Sequence, residues 1–322
     1  MVQQVRDLFE ERQVPIYFGV VAVAAVLALL ASGTGALDRA INPALALMLF
    51  VTFLQVPLAD LGRAFMRWRF MAPLLIANFL AIPLLVASLS QFLPPNPLIR
   101  LGVLLVLLTP CIDYVVTFAH LGRADARLLL AATPALLLLQ MALLPAYLAA
   151  FLGEDAARLV RIGPFLHAFI WLITTPLALA GLAQVWASRT ASGARAVSFL
   201  GILPVPATAL VLFVVVAAVV PQLGEAQGPV LTVVPFYIAF ALLAPFVGWG
   251  VAKLGGLQGG EARAVAFSAA TRNSLVVLPL ALAVPGALPV LPAIIVAQTL
   301  VELVSELVYV RAIPRLIRAA PA

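Results

Sequence analysis

The sequence predicts an all-α integral membrane protein, with about ten transmembrane helices at roughly 20 apolar residues per span. Three observations carry that fold class. Of the 322 residues, 64% are hydrophobic and only 10% are charged, with a mean hydropathy of +1.15. Soluble domains carry about 25% charged residues, so this chain cannot cover a surface facing water, and a soluble enzyme is excluded. The apolar runs are continuous rather than alternating, which favours helices over a barrel because each helix bonds its own backbone in lipid. The cations, finally, fall in the gaps between runs.

In order, the apolar runs place spans at 15–32, 42–59, 70–92, 98–120, 126–151, 161–186, 197–220, 229–253, 263–285 and 288–310. The first run follows a mixed-charge head holding Asp7, Glu10 and Glu11, unlike the basic start of a cleaved signal, and reads as a retained helix. The breaks carry charged or turn residues: Asp38-Arg39, Asp60-Leu61-Gly62-Arg63, Pro94-Pro95-Asn96-Pro97, Gly122-Arg123, Gly153-Glu154-Asp155, Ser192-Gly193, Gly224-Glu225 and Gly255-Gly256. No gap is long enough for a soluble domain. Before the last span, Pro285, Pro289 and Pro292 allow either a tight turn or a broken start to the helix.

Net charge is +6, from 19 Lys and Arg against 13 Asp and Glu. These cations do not form a nucleic-acid surface; they report orientation. With the N-terminus inside, the inner segments hold 14 of them (Arg6 and Arg12 through Arg315 and Arg318) and the outer loops 4 (Arg39, Arg100, Arg158 and Arg161). The positive-inside rule then puts both termini in the cytoplasm of a multi-pass protein of the inner or plasma membrane. Ten spans divide into residues 1–151 and 152–322, and the second set of five must run inverted relative to the first. Inverted-repeat transporters build their site where corresponding broken helices meet near the midplane.

The fourth and ninth spans are interrupted at matched positions. The fourth reads Leu108-Thr109-Pro110-Cys111-Ile112-Asp113-Tyr114; the ninth reads Ser268-Ala269-Ala270-Thr271-Arg272-Asn273-Ser274, with Pro279 after it. Proline alone is ordinary here, since Pro57, Pro83, Pro134, Pro176 and Pro245 also fall within spans. Charge beside the break is not ordinary, because an ionisable group at the bilayer centre costs about 2.5–3.5 kcal/mol on insertion scales. Asp113 and Arg272 are such groups. They serve either as a buried structural ion pair or as a moving one, in which Asp113 exchanges protons and Arg272 changes partners.

In the last span, Glu302 and Glu306 share one helical face. Glu302 is deep and is expected to carry a proton or hold solute. Glu306 lies near the expected inner end and reads as an interfacial charge within reach of Arg311. The candidate substrate-binding residues are Thr109, Cys111, Arg272, Asn273 and Ser274, and the candidate proton carriers are Asp113 and Glu302. Tyr114, Ser268 and Glu306 are secondary. Cys111 is the sole cysteine, so neither an intrachain disulfide nor a cysteine cluster forms; its thiolate is a soft ligand suited to a thiophilic metalloid. His120 and His167 read as interfacial, and Gln55, Asn78, Gln140 and Gln298 as helix-packing groups. Ser32-Gly33 and Ser192-Gly193 have no positioned base, which argues against an intramembrane enzyme.

Those motifs carry a resemblance. Leu108-Thr109-Pro110-Cys111-Ile112-Asp113-Tyr114-Val115-Val116 with Leu121-Gly122-Arg123-Ala124-Asp125, Phe267 through Ser274, and Leu300-Val301-Glu302-Leu303-Val304 are similar, in order and span, to the fourth, ninth and last-span motifs of the arsenite permease family within the bile acid:sodium symporter superfamily. The resemblance implies ten helices in panel and core domains, with the fourth and ninth spans crossing. It also implies export of arsenite or antimonite in exchange for protons, without a cofactor. Cys111 would then contact the metalloid, Glu302 would be the essential carboxylate and Asn273 would line the crossing. The chain departs from the family pattern at Arg272, where a small or amide residue is usual, and at Asp113, where a neutral one is. The sodium-coupled branch has a glutamate where this chain has Ser268, which disfavours sodium. An organic-anion carrier that holds a carboxylate on Arg272 is the alternative. The partners expected are thus a small inorganic or anionic solute, a coupling ion and the lipid bilayer, and no nucleic acid.

Overall fold

Proline, glycine and capping side chains decide where each helix of this chain starts and stops. The structure, a computed structural model, describes residues 2–31, 33–56, 67–112, 114–153 and 167–317. Its helices are α1 (Val2–Glu11), α2 (Gln13–Leu30), α3 (Asp38–Phe53), α4 (Trp68–Ile76), α5 (Ile82–Ser90), α6 (Pro97–Leu107), α7 (Tyr114–Leu121), α8 (Ala126–Leu152), α9 (Thr175–Arg189), α10 (Ala191–Leu200), α11 (Pro204–Val219), α12 (Leu223–Leu254), α13 (Gly259–Ala270), α14 (Ser274–Leu282) and α15 (Val290–Leu316). Among the described residues, seven helical stretches are long and apolar enough to cross a bilayer. An eighth is added if α10 and α11 form one span bent by 43°. Large apolar side chains such as Leu30, Trp68 and Phe92 face outward, as lipid contact requires. This is an all-α membrane protein.

Several expected breaks move. Asp38-Arg39 opens α3 instead of lying in a loop, and Asp38 in the first turn complements the positive end of the helix. Gly224-Glu225 lies within α12, and Ser192-Gly193 within α10, whose start is set by Thr190 accepting from the Gly193 N–H at 3.1 Å. Pro285 and Pro289 precede α15 in a turn, and Pro292 sits in its first turn, where a missing N–H costs nothing. The expected breaks at 60–63 and 154–155, like Arg63, Arg158, Arg161 and Arg318, fall outside the described residues.

The fourth and ninth spans are each two short helices, as their interruptions predict. Asn96 caps α6 by accepting from Leu98 and Ile99 N–H at 3.0 and 3.2 Å, with Pro97 pre-set at the first position. The helix ends before Thr109-Pro110, because proline disfavours a helical residue ahead of it. Asp125 caps α8 through the Leu128 N–H at 3.1 Å.

The chain forms two compact units. The first comprises Met1–Gln55, Val160–Gly228 and Leu278–Val296; the second comprises Val56–Leu159, Pro229–Val277 and Ala297–Ala322. In the first, α2 and α11 meet where Ala24 packs on Val216 and Ala217, and the two alanines are of the small kind that lets backbones approach closely in lipid. In the second, a Cβ on Gly248 of α12 would lie 2.6 Å from the Ala269 Cβ, so α12 and α13 are in near-backbone contact. Between α4 and α5 the second unit has a wider helical turn, Ala77–Ala81. Pro83 lacks the N–H that would bond the Phe79 carbonyl, and the Tyr147 hydroxyl donates to that carbonyl instead, at 2.6 Å.

Candidate functional site

In the second unit the two interruptions meet. Pro110 and Arg272 form an antiparallel bridge, the Cys111 N–H donates to the Thr271 carbonyl at 3.1 Å, and the Asn273 N–H donates to the Thr109 carbonyl at 2.8 Å. Extended backbone is tolerated at membrane depth only where protein satisfies its polar groups, and here each interrupted span satisfies the other. Thr109 and Thr271 complete the job by donating to carbonyls of the turns they end: Leu105 and Val106 at 3.0 Å each, and Phe267 at 2.8 Å. The N-terminal end of α13 is tied down separately. Arg263 donates to the Ile317 and Arg123 carbonyls at 2.8 and 2.9 Å, and the Asp125 N–H donates to the Gly260 carbonyl at 2.9 Å.

Glu302 comes to this crossing from α15. One of its oxygens accepts from the Arg272 N–H and from Gln298 Nε2, both at 2.7 Å, and the other from the Tyr114 hydroxyl at 2.5 Å. Gln298 in turn accepts from Ser274 Oγ. The Arg272 side chain is fully buried and turns the other way: Nη2 donates to Asn78 Oδ1 (2.9 Å), the Ser268 carbonyl (2.6 Å) and the Ala269 carbonyl (2.8 Å), and Nη1 to the Leu107 carbonyl (3.5 Å). Asn78 Nδ2 also donates to Ser268 Oγ at 2.9 Å, and the Phe240 ring lies over the guanidinium, 5.6 Å from its carbon. Among the described residues Arg272 makes no ion pair, and its Nε has no partner.

The structure therefore brings together Thr109, Cys111, Tyr114, Ser268, Arg272, Asn273, Ser274, Glu302 and Glu306, every one of them buried. Asp113 lies outside the described residues, and with it the expected Asp113–Arg272 pair. Glu306 departs from expectation. It is fully buried, with one oxygen against the Thr271 hydroxyl at 2.5 Å, rather than interfacial and near Arg311. The physical reason is length: α15 continues to Leu316, which puts Glu306 about 15 Å from its end at 1.5 Å per residue.

Asn78 and Gln298, expected as packing amides, belong to the site, and an amide in an apolar span is itself the signal for such a role. Phe240 had none. A void of about 10 Å³ bordered by Tyr237, Phe240, Gln298, Glu302 and Tyr309 is the size of one water. The Tyr237 hydroxyl has no partner among the described residues. In the first unit, a larger cleft of about 620 Å³ is lined by Asn42, His167, Trp171 and Pro279. It holds no deep charge, so the crossing is the stronger candidate. His120 and His167 are exposed.

Compared with known families, residues 42–225 match the family model described as Sodium Bile acid symporter family. No curated protein matches the chain.

Proposed function

The chain belongs to the sodium bile acid symporter family, and from that premise we propose a proton-coupled carrier that moves a small solute past the crossing of its two interrupted spans. Family membership makes it a membrane transporter rather than an enzyme. The observation that carries the finer reading is the burial of two carboxyl groups at the crossing, Glu302 on the Arg272 backbone N–H and Glu306 on the Thr271 hydroxyl.

A hydroxyl has one hydrogen, yet Thr271 Oγ1 contacts both the Phe267 carbonyl and Glu306. If that hydrogen goes to the carbonyl, a proton on Glu306 completes the second bond. Glu302 and Glu306 then form a short relay beside the site, with Asp113 as a third proton carrier.

The solute in this reading is arsenite or antimonite, exported and contacted by the buried Cys111 thiol, with Thr109, Asn273 and Ser274 lining the path. Residues 1–151 and 152–322 act as inverted repeats. Both compact units draw segments from both halves, as such a pair would require. The termini face the cytoplasm.

A second reading is an organic-anion carrier. The family description supports it, and so does the donor that Arg272 keeps at Nε, which can take a carboxylate.

Uptake of arsenite or of a bile-acid anion from the medium by everted vesicles, where export reads as accumulation, separates the two when measured with and without a pH gradient. Arsenite movement that follows the gradient and is lost in Cys111→Ser is expected. Equal export by the variant removes the thiol role, and movement of the organic anion alone establishes the second reading.

A further inference from the structure

The surroundings of the Arg272 guanidinium are oxygens, and all four that accept from it are neutral: Asn78 Oδ1 and the carbonyls of Leu107, Ser268 and Ala269. Three of them belong to helix ends. Ser268 and Ala269 lie in the last turn of α13, and Leu107 is the last residue of α6. Each helix C-terminus carries about half an elementary negative charge on carbonyls with no partner inside the helix. Two such ends converge on one point, and an amide oxygen from the widened turn at Ala77–Ala81 closes it.

Neutral oxygens gathered at half-helix C-termini are the arrangement with which transporters hold a monovalent coupling cation. Hard cations take oxygen ligands of this kind. We propose that Arg272 is a tethered cation: its guanidinium fills an oxygen cradle that would otherwise take a monovalent metal ion, so this chain needs no sodium there.

The side chain's position fits the role. The Glu302 carboxylate is bound to the Arg272 backbone N–H rather than to the guanidinium, so the charge of the side chain is spent on the helix ends. Phe240 lies over the guanidinium, its ring centroid 5.6 Å from the guanidinium carbon. The arrangement also explains the disagreement between a family described by sodium and a site with a fixed positive charge. The inference goes beyond the transport reading, and its test needs neither a solute nor a pH gradient.

The test is the thermal unfolding midpoint of the purified full-length protein in sodium, lithium, potassium or choline chloride at equal ionic strength. The wild type and Arg272→Lys are expected to melt at the same temperature in all four salts. Arg272→Met and Arg272→Gln are expected to melt lower in choline and to regain several degrees, saturably, in sodium or in dilute methylguanidinium, because a ligand that binds only the folded state raises the midpoint. An arginine that merely staples helices predicts a loss that no cation restores. Saturable stabilisation of the wild type by sodium would overturn the proposal. So would folded Arg272→Met and Arg272→Gln that respond no better to sodium than to choline, or failure of both to fold in sodium.

Discussion

Glu302 accepts a hydrogen bond from the backbone N–H of Arg272 at 2.7 Å, while the Arg272 side chain reaches away to Asn78 at 2.9 Å. One residue thus serves two clusters. Its main chain anchors the carboxylate, and its side chain neutralises the ends of two half-helices.

Glu302→Gln should separate structure from transport. The glutamine can keep its oxygen toward the Arg272 N–H and Gln298 and turn its NH2 toward the Tyr114 hydroxyl, which then accepts. Folding stability is expected to change by no more than about 1 kcal/mol while ion-coupled transport is lost. Glu302→Ala, which leaves buried donors unpaired, is expected to cost roughly 2–4 kcal/mol. Thermal melts beside vesicle uptake check both.

Asn78→Leu removes an acceptor from a buried guanidinium and a donor from Ser268. A hydrogen bond to a charged group is worth about 1.5–3 kcal/mol, and a destabilisation of that size is expected in chemical denaturation. Asn78→Asp keeps the acceptor and adds a charge opposite Arg272, so it should be the more stable of the two.

Gly248→Leu drives a side chain into Ala269 and the α13 backbone at Ala266, where even a Cβ would lie 2.6 and 3.0 Å from its neighbours. Backbone cannot yield as a flexible side chain does. A loss of about 1–3 kcal/mol is expected, with α13 displaced and transport reduced alongside stability.

Tyr147→Phe leaves the Phe79 carbonyl, already without its helical donor because of Pro83, with no hydroxyl to bond it. Interhelical hydrogen bonds in membranes contribute about 0.6 kcal/mol and at most about 1.7, so a small loss in the melting midpoint is expected. Its effect should reach Asn78, which shares the same widened turn.

Much of this was legible in the chain. The Thr109-Pro110 and Thr271-Arg272 interruptions announce two broken spans, because proline and charge are costly inside an apolar helix and persist where they have a use. The depth of Glu306 was not legible: hydropathy falls at Arg311, while the helix continues to Leu316 on backbone bonding that composition does not reveal. Asp38-Arg39 misled for the same reason in reverse, since a charged pair starts a helix as readily as it ends one.

By itself, the sequence determined the membrane class, the helical architecture and the interruptions at 109–110 and 271–272. These follow from local chemistry: apolar length, ring constraints and the cost of charge in lipid. Only the tertiary structure decided that the two interruptions bond to each other, that Glu302 sits on the backbone of Arg272, and that the guanidinium faces Asn78 and two helix ends. Asn78 and Arg272 are 194 positions apart, and hydropathy carries no information about which buried donor meets which acceptor at that separation.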